Sequence, residues 1–285
     1  MMRKKPMLAH PVGGFERIKD DDWPLYSQPK LDGVRCLIQY EPMRNRIVAY
    51  SRTGKEWKNI YHILKELRSF FYKFPNIILD GELYNHDLKN DFEKIISLVR
   101  KTKPMYHDRV ESDMKVQFHC YDTIMEHMPF DERDHFIAKN LQTNYCIKHV
   151  RTLLTNNKAH TKACHKENLV AGYEGSIVRT NDIYQCKRSH SLRKFKDFQD
   201  AEALIIGYEE GKGKREGTLG KFLMQDEDGN KFGCPPGKGY NYQDMRDMLK
   251  DIHKYMGQLA TFTYFERTKA GSYRHPLFKS IRNYE

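Results

Sequence analysis

Lys30-Leu31-Asp32-Gly33-Val34-Arg35 sets one lysine between a stretch that reads as a strand, Pro24 to Gln28, and a glycine turn. A carboxylate and a guanidinium follow close behind it. A lysine attacks as a nucleophile only in its neutral form, so burial or neighbouring cations must lower its pKa. Gly33 lets the backbone approach a phosphate, and Arg35 offers a planar fork to a ribose or phosphate oxygen. Read alone, the K-x-D-G-x-R pattern also fits a salt-bridged turn at a strand end. Its four specified positions coincide by chance in a chain of this length well under ~1% of the time.

Outward from that stretch the pattern is mixed α and β. Val34 to Tyr40 and Arg46 to Ser51 read as strands about a polar turn at Pro42 to Asn45. Ile60, Ile63, Leu64, Leu67 and Phe71 keep helical spacing, which predicts one helix from Asn59 to Tyr72. Ile77 to Leu79 is a short buried strand that delivers Asp80-Gly81-Glu82, Phe92 to Val99 a second helix, and Val116 to Asp122 another strand. After Lys196 the texture turns mostly β. Ala203 to Tyr208, Phe222 to Gln225 and Ala260 to Glu266 read as strands, separated by Gly- and Lys-rich turns, with one helical stripe from Met245 to Met256. A small Greek-key barrel accommodates that pattern. The boundary falls at Asp197 to Asp200, giving domains 1–198 and 199–285.

The chain of 285 residues carries a formal net charge of +11, with a pI near 9.2. Such an excess favours a polyanionic partner, because each phosphate neutralised releases condensed counterions; a merely soluble basic protein is the alternative. No apolar run approaches the ~18 residues of a membrane span, and no signal peptide follows Met1-Met2-Arg3-Lys4-Lys5-Pro6. The six cysteines lack any CxxC pair and read as free thiols in a reducing compartment. Cys164, His165 and Cys186 fit no common zinc spacing.

Further motifs follow Lys30 in a telling order: Ser51-Arg52-Thr53-Gly54, Asp80-Gly81-Glu82-Leu83, Phe118-His119-Cys120-Tyr121-Asp122, Glu174-Gly175-Ser176-Ile177-Val178-Arg179 and Leu192-Arg193-Lys194-Phe195-Lys196. Each has an ordinary structural reading by itself. Ser51-Arg52 also suits a solvated strand end, Tyr121 a core aromatic, Glu174 with Arg179 a cross-strand pair, and Lys194 with Lys196 one exposed strand face. Together the series resembles the covalent nucleotidyltransferase superfamily, which holds ATP-dependent DNA ligases, RNA ligases and mRNA capping enzymes. The ending Gly271-Ser272-Tyr273-Arg274-His275-Pro276-Leu277-Phe278, before Ile281-Arg282, resembles the OB-fold close of small phage-type DNA ligases.

The resemblance implies an α+β nucleotidyltransferase (adenylation) domain followed by a small β-barrel OB-fold domain. It further implies an ATP-dependent DNA ligase working through a lysyl-AMP on Lys30, with ATP and Mg²⁺ as cofactors and nicked duplex DNA as partner. Catalytic roles fall to Lys30, Asp32, Lys194 and Lys196. Gln28, Lys30, Arg35, Glu82, Tyr121, Lys194 and Lys196 are expected to bind ATP or AMP, and Glu82 and Glu174 the metal. Ser51, Arg52 and Arg179 are expected at the nick phosphate or DNA, as are Lys212, Lys214, Arg215 and Lys221 of a glycine-rich, mobile clamp. Two lysines flanking Phe195 on a strand project to one face and reach one phosphate group, and Mg²⁺ takes one or two carboxylates beside phosphates and water. A monomer in the cytoplasm, or in the host-cell interior for a phage or viral protein, is expected, with a hinge at Asp197 to Asp200.

Three positions depart from the family pattern. Gln28 stands where many ligases carry glutamate, Tyr121 where phenylalanine is commoner, and Asn283-Tyr284-Glu285 where an R-x-D-K signature is usual. The last departure makes self-adenylation slow or moves the pyrophosphate contacts to another segment. An RNA ligase is the alternative within the superfamily, then a GTP-using capping enzyme. A non-catalytic nick- or end-binding module is the alternative outside it.

Overall fold

The computed structural model describes residues 4–11, 15–89, 91–237, 239–265, 267 and 271–282. The chain divides into two compact units, Met1–Lys196 and Asp197–Glu285. Along the first run β1 (Leu8–Pro11), β2 (Leu25–Pro29), β3 (Val34–Glu41), β4 (Arg46–Tyr50), α1 (Tyr61–Glu66), α2 (Arg68–Lys73), β5 (Ile78–Tyr84), α3 (Phe92–Val99), α4 (Tyr106–Lys115), β6 (Gln117–Thr123), α5 (Phe130–Asn140), β7 (Ile147–His149), β8 (Leu153–Thr155), α6 (Lys158–Val170), β9 (Ser176–Arg179) and β10 (Arg188–Phe195). The strands form two five-stranded sheets, ordered β1-β10-β9-β2-β8 and β4-β3-β5-β6-β7.

Strand alternation decides which faces are buried. Cys36 and Ile38 of β3 join Leu79, Leu83, Phe118 and Cys120 in a core that includes Ile60, Ile63 and Leu67 of the α1–α2 segment and Ile95, Leu98 and Val99 of α3. Leu37, on the opposite face of β3, packs with Met7, Ile124, Tyr184 and Leu192. Burying each such side chain contributes ~1.5–3 kcal/mol. A one-residue slip of β3 would exchange its two faces and lose both clusters.

The helix expected over 59–72 is bent into α1 and α2 at Leu67, whose φ of −85° and ψ of 2° depart from helical values. Leu67 N–H still reaches Ile63 O at 3.2 Å, and Phe71 N–H reaches Leu67 O at 3.1 Å. The bend lets the apolar stripe follow a twisted sheet without breaking the hydrogen-bond chain. Asp80-Gly81-Glu82 lies inside β5 rather than beyond a short strand. A Cβ on Gly81 would sit 2.5 Å from both His119 O and the Phe118 ring, so glycine lets β6 lie alongside.

The second unit holds β11 (Gln199–Glu210), β12 (Leu219–Gln225), β13 (Lys231–Cys234), α7 (Tyr242–Lys250), β14 (Leu259–Tyr264) and β15 (Leu277–Ile281). Its sheet order is β13-β12-β11-β14-β15. Phe278 N–H donates to Pro235 O at 2.9 Å and Gly237 N–H to Phe278 O at 3.0 Å, which joins β15 to the segment after β13 and closes the sheet into a barrel. Ile205, Phe222, Met224, Phe262 and Phe278 fill it, with Met245 and Met248 of α7 in the same core. Glu266, Asn283, Tyr284 and Glu285, which figured in the expectations above, lie outside the described residues, as do Met1, Met2 and Arg3.

Candidate active site

Lys30 directly follows β2 and is pinned through its backbone. Its N–H donates to Gly175 O at 2.9 Å, and Glu174 N–H donates to Lys30 O at 3.1 Å. The turn before β9 needs glycine, because Gly175 has φ 143° and a Cβ there would fall 2.2 Å from Phe195 O. Two motifs far apart in sequence are thereby locked together. The Glu174 carboxylate, only 3% exposed, pairs with Lys30 Nζ through one oxygen and with Lys196 Nζ through the other. Lys194 turns to a pocket that Lys196 does not line. Lys194 thus lines the pocket, while Lys196 shares the Glu174 carboxylate with Lys30, which lines it too.

That pocket encloses about 240 Å³, with Lys30, Arg35, Arg52, Glu82, Tyr121 and Lys194 among its walls. On β3, Arg35 is held by its neighbours: Nε donates to Asp80 Oδ1 at 2.6 Å, and Nη2 to Asp80 and to Met7 O. Arg35 lies 5.1 Å from the centroid of the Tyr121 ring. The Tyr121 hydroxyl donates to Glu82 Oε2 at 3.2 Å. Burial pushes the Glu82 carboxyl up to about 8, against the pull of Arg35 and of the Tyr121 hydrogen bond, while Asp80 and Asp32 add to the rise. Asp32 sits in the turn before β3. There a Cβ on Gly33 would lie 2.5 Å from Leu83 O, so the glycine draws this turn against β5.

Gln28 and Arg179 form the back of the same pocket, and each is buried. Gln28 Nε2 donates to Thr152 Oγ1 at 2.9 Å and to Tyr121 O at 3.2 Å, while its Oε1 accepts from Arg179 Nη2 at 2.9 Å. A guanidinium can only donate, so it dictates which way the Gln28 amide faces. Arg179 Nη1 binds Asp122, which also takes two hydrogen bonds from the wholly buried Arg133. Arg179 lies 4.1 Å from the centroid of the Phe130 ring, and its buried Nε meets no hydrogen-bond partner among the described residues. This placement corrects the expectation of Arg179 at the nick phosphate: at 4% exposure it is part of the pocket's interior. Asp80 and Asp122, which stand in the quoted motifs without a role, and Arg133 support the site, and their partners Arg35 and Arg179 are distant from them in sequence.

Ser51 is 8% exposed, and its Oγ accepts from the N–H groups of Gly54 and Lys55 at 3.2 and 2.9 Å. It shapes the turn that brings Arg52 to the pocket, a supporting place rather than the phosphate contact expected. In the second unit Lys212, Lys214 and Arg215 are exposed on a short 3-10 turn, Gly213–Arg215. Gly217 N–H donates to Glu210 Oε1 at 2.7 Å and Thr218 Oγ1 to Arg215 O at 2.6 Å, so this loop is tied down rather than slack. Lys221 pairs with Glu209 at 3.1 Å. Among the described residues no group of three His, Cys, Asp or Glu side chains comes together to hold a metal. Glu82 and Glu174 suit an ion that keeps its waters and takes phosphate oxygens, not one caged by protein.

Residues 6–196 match the family model described as ATP dependent DNA ligase domain, and residues 210–282 the one described as DNA ligase OB-like domain. The DNA ligase of African swine fever virus (isolate Tick/South Africa/Pretoriuskop Pr4/1996) is 28% identical over 213 residues, 72% of this chain and 48% of that protein. The DNA ligase of Thermococcus fumicolans is 24% identical over 238 residues, 78% of this chain and 42% of that protein. The chain thus spans about half the length of the curated relatives it matches. A Lig E DNA ligase structure has a TM-score of 0.77 at 22% identity, over 99% of this chain and 100% of its own. Chlorella virus DNA ligase-adenylate has a TM-score of 0.53 at 23% identity, over 99% of each chain. These structural likenesses show a shared fold. With a nucleotidyltransferase unit matched almost end to end and an OB-like unit after it, the chain belongs to the family of ATP-dependent DNA ligases.

Proposed function

We propose that the chain seals nicks in duplex DNA, using ATP to form a covalent adenylate on Lys30. The observation that carries this reading is the anchoring of Lys30. Its backbone is locked to Gly175 and Glu174 at the pocket wall, and its amine lies against a carboxylate shared with Lys196. In the first step Lys30 Nζ bonds to the α-phosphorus, the bond to pyrophosphate breaks, and the Nζ proton passes to Glu174. In the second, the 5′-phosphate at a nick displaces Lys30 and takes the AMP. In the third, the 3′-hydroxyl attacks that phosphate and AMP leaves. Phosphoryl transfer of this kind needs positioning and charge neutralisation, which Lys194, Arg52 and Lys196 supply. Mg²⁺, held by phosphate oxygens and water beside Glu174 or a deprotonated Glu82, would screen further charge.

The back wall supports adenine over guanine. Arg179 fixes the Gln28 amide with Oε1 as acceptor, and the second lone pair of that oxygen suits the N6 donor of adenine. Guanine places its O6 acceptor there instead, setting acceptor against acceptor, which weighs against GTP-using capping chemistry. Tyr121 offers its ring to the base and Glu82 its carboxyl to the ribose. We assign nick binding to Arg52 and, in the OB-like unit, to Lys212, Lys214, Arg215 and Lys221. Asp32 has a positioning role beside Glu82. The protein acts as a monomer on nicked duplex DNA in the cytoplasm, or in a host-cell interior.

Incubation with radiolabelled ATP and Mg²⁺ should label the chain on a denaturing gel, and Lys30→Ala should abolish the label. A 5′-phosphorylated DNA nick should be sealed in preference to nicks flanked by RNA. Sealing by Lys30→Ala would overturn the proposal, and preferential sealing of RNA would make the chain an RNA ligase.

A further inference from the structure

We infer that a groove beside β4, separate from the nucleotide pocket, docks an extended acidic segment of a partner protein that carries bulky apolar side chains. The groove runs between β4 and the α1–α2 segment, encloses about 900 Å³ and shares no lining residue with the nucleotide pocket. Its walls include Ile47, Leu64 and Phe71, with Tyr61 and Tyr72 59% and 90% exposed beside them. An apolar concavity of this kind takes side chains rather than a duplex backbone.

Two further features specify the occupant. Lys58, Lys65 and Arg68 also line the groove, and its one acid, Glu56, is already engaged by Arg46 at 3.2 Å. The surplus is cationic, so the complementary ligand is acidic. β4 is also the edge of its sheet, and on its outer side the 55–57 segment covers only the end at Ala49 to Ser51, through the Tyr50–Glu56 bridge. Trp57 N–H donates to Ala49 O at 2.9 Å, which shows that Ala49 faces outward from β3. By antiparallel alternation the N–H and C=O of Ile47 face the same way, and among the described residues no backbone group pairs with them there. An added strand would meet those groups while alternate side chains enter the groove.

The test is selection of peptides from a displayed random library on the full chain, followed by fluorescence anisotropy of labelled selected peptides. Binding is compared for the wild type, Lys65→Glu/Arg68→Glu and Tyr72→Ser. Enrichment of Asp or Glu interspersed with aromatic or aliphatic residues is expected, with affinity falling about tenfold or more in the double variant and weakening with salt. Circular dichroism and lysyl-adenylate formation should be unchanged in both variants. Failure to enrich, enrichment without acidic residues, or selected peptides indifferent to all three substitutions would overturn the inference. A loss of nicked-duplex affinity in the double variant with peptide binding intact would make the surface a nucleic-acid contact instead.

Discussion

Replacing Glu82 by glutamine removes a carboxyl that burial holds at about 8, against an ordinary value of 4.5. Between those values the folded chain keeps a proton that the unfolded chain has released. Stability therefore falls as pH rises through the window, at about 1 kcal/mol per pH unit. Below the lower value both states are protonated and Glu82 contributes nothing; above about 8 the full penalty, a few kcal/mol, is present. Glutamine keeps the shape, still accepts from the Tyr121 hydroxyl that now lies 3.2 Å from the carboxylate, and does not titrate. Urea unfolding of wild type and Glu82→Gln across this pH range should give nearly equal stabilities at the acid end. The variant's advantage should then widen steadily towards the alkaline end. A difference that does not change with pH would refute the reasoning, and so would a variant that loses ground as pH rises. If Glu82 meets the nucleotide as proposed, the gain in stability should come with weaker nucleotide binding.

Arg179→Met removes the partner that fixes which way the Gln28 amide faces. Adenylation kinetics should show a KM for ATP raised about tenfold to hundredfold and a narrower preference over GTP, because a buried polar match is lost; an unchanged preference would place base selection elsewhere. Gly175→Ala drives a Cβ to 2.2 Å from Phe195 O at φ 143°, so thermal unfolding should report a loss of about 2–4 kcal/mol, and wild-type stability would remove the steric account. Alanine at Lys212, Lys214 and Arg215 together should reduce the slope of log affinity for nicked DNA against log salt by about 2–3. An unaltered slope would take this turn out of the DNA contact.

The residue types of the site, and their order, were legible in the sequence. A covalent lysine needs nearby cations and carboxylates whatever the surrounding packing, and short motifs can carry them. Lys30, Glu82, Tyr121, Glu174 and Lys194 were read that way, and the mixed sheet with a β-rich second unit followed from strand alternation and glycine turns. Elements whose pattern is weak were harder. α4 and α6 expose much of their length and lack a continuous apolar stripe, and β13 spans only Lys231–Cys234.

What the tertiary structure alone decided is how those groups are shared out. Whether Arg179 faces DNA or the pocket interior depends on Asp122 and Arg133 lying beneath it, and neither is its neighbour in sequence. Lys196 meets Glu174, 22 residues before it, and through that carboxylate the amine of Lys30, a neighbourhood that only the fold creates. The raised pKa of Glu82 comes first from burial, a property no single sequence position carries. Covalent chemistry is local to residue types and survives in motifs. Hydrogen bonds and desolvation act between segments that only folding brings together, so the sequence determined which groups are present and the tertiary structure decided which of them are spoken for.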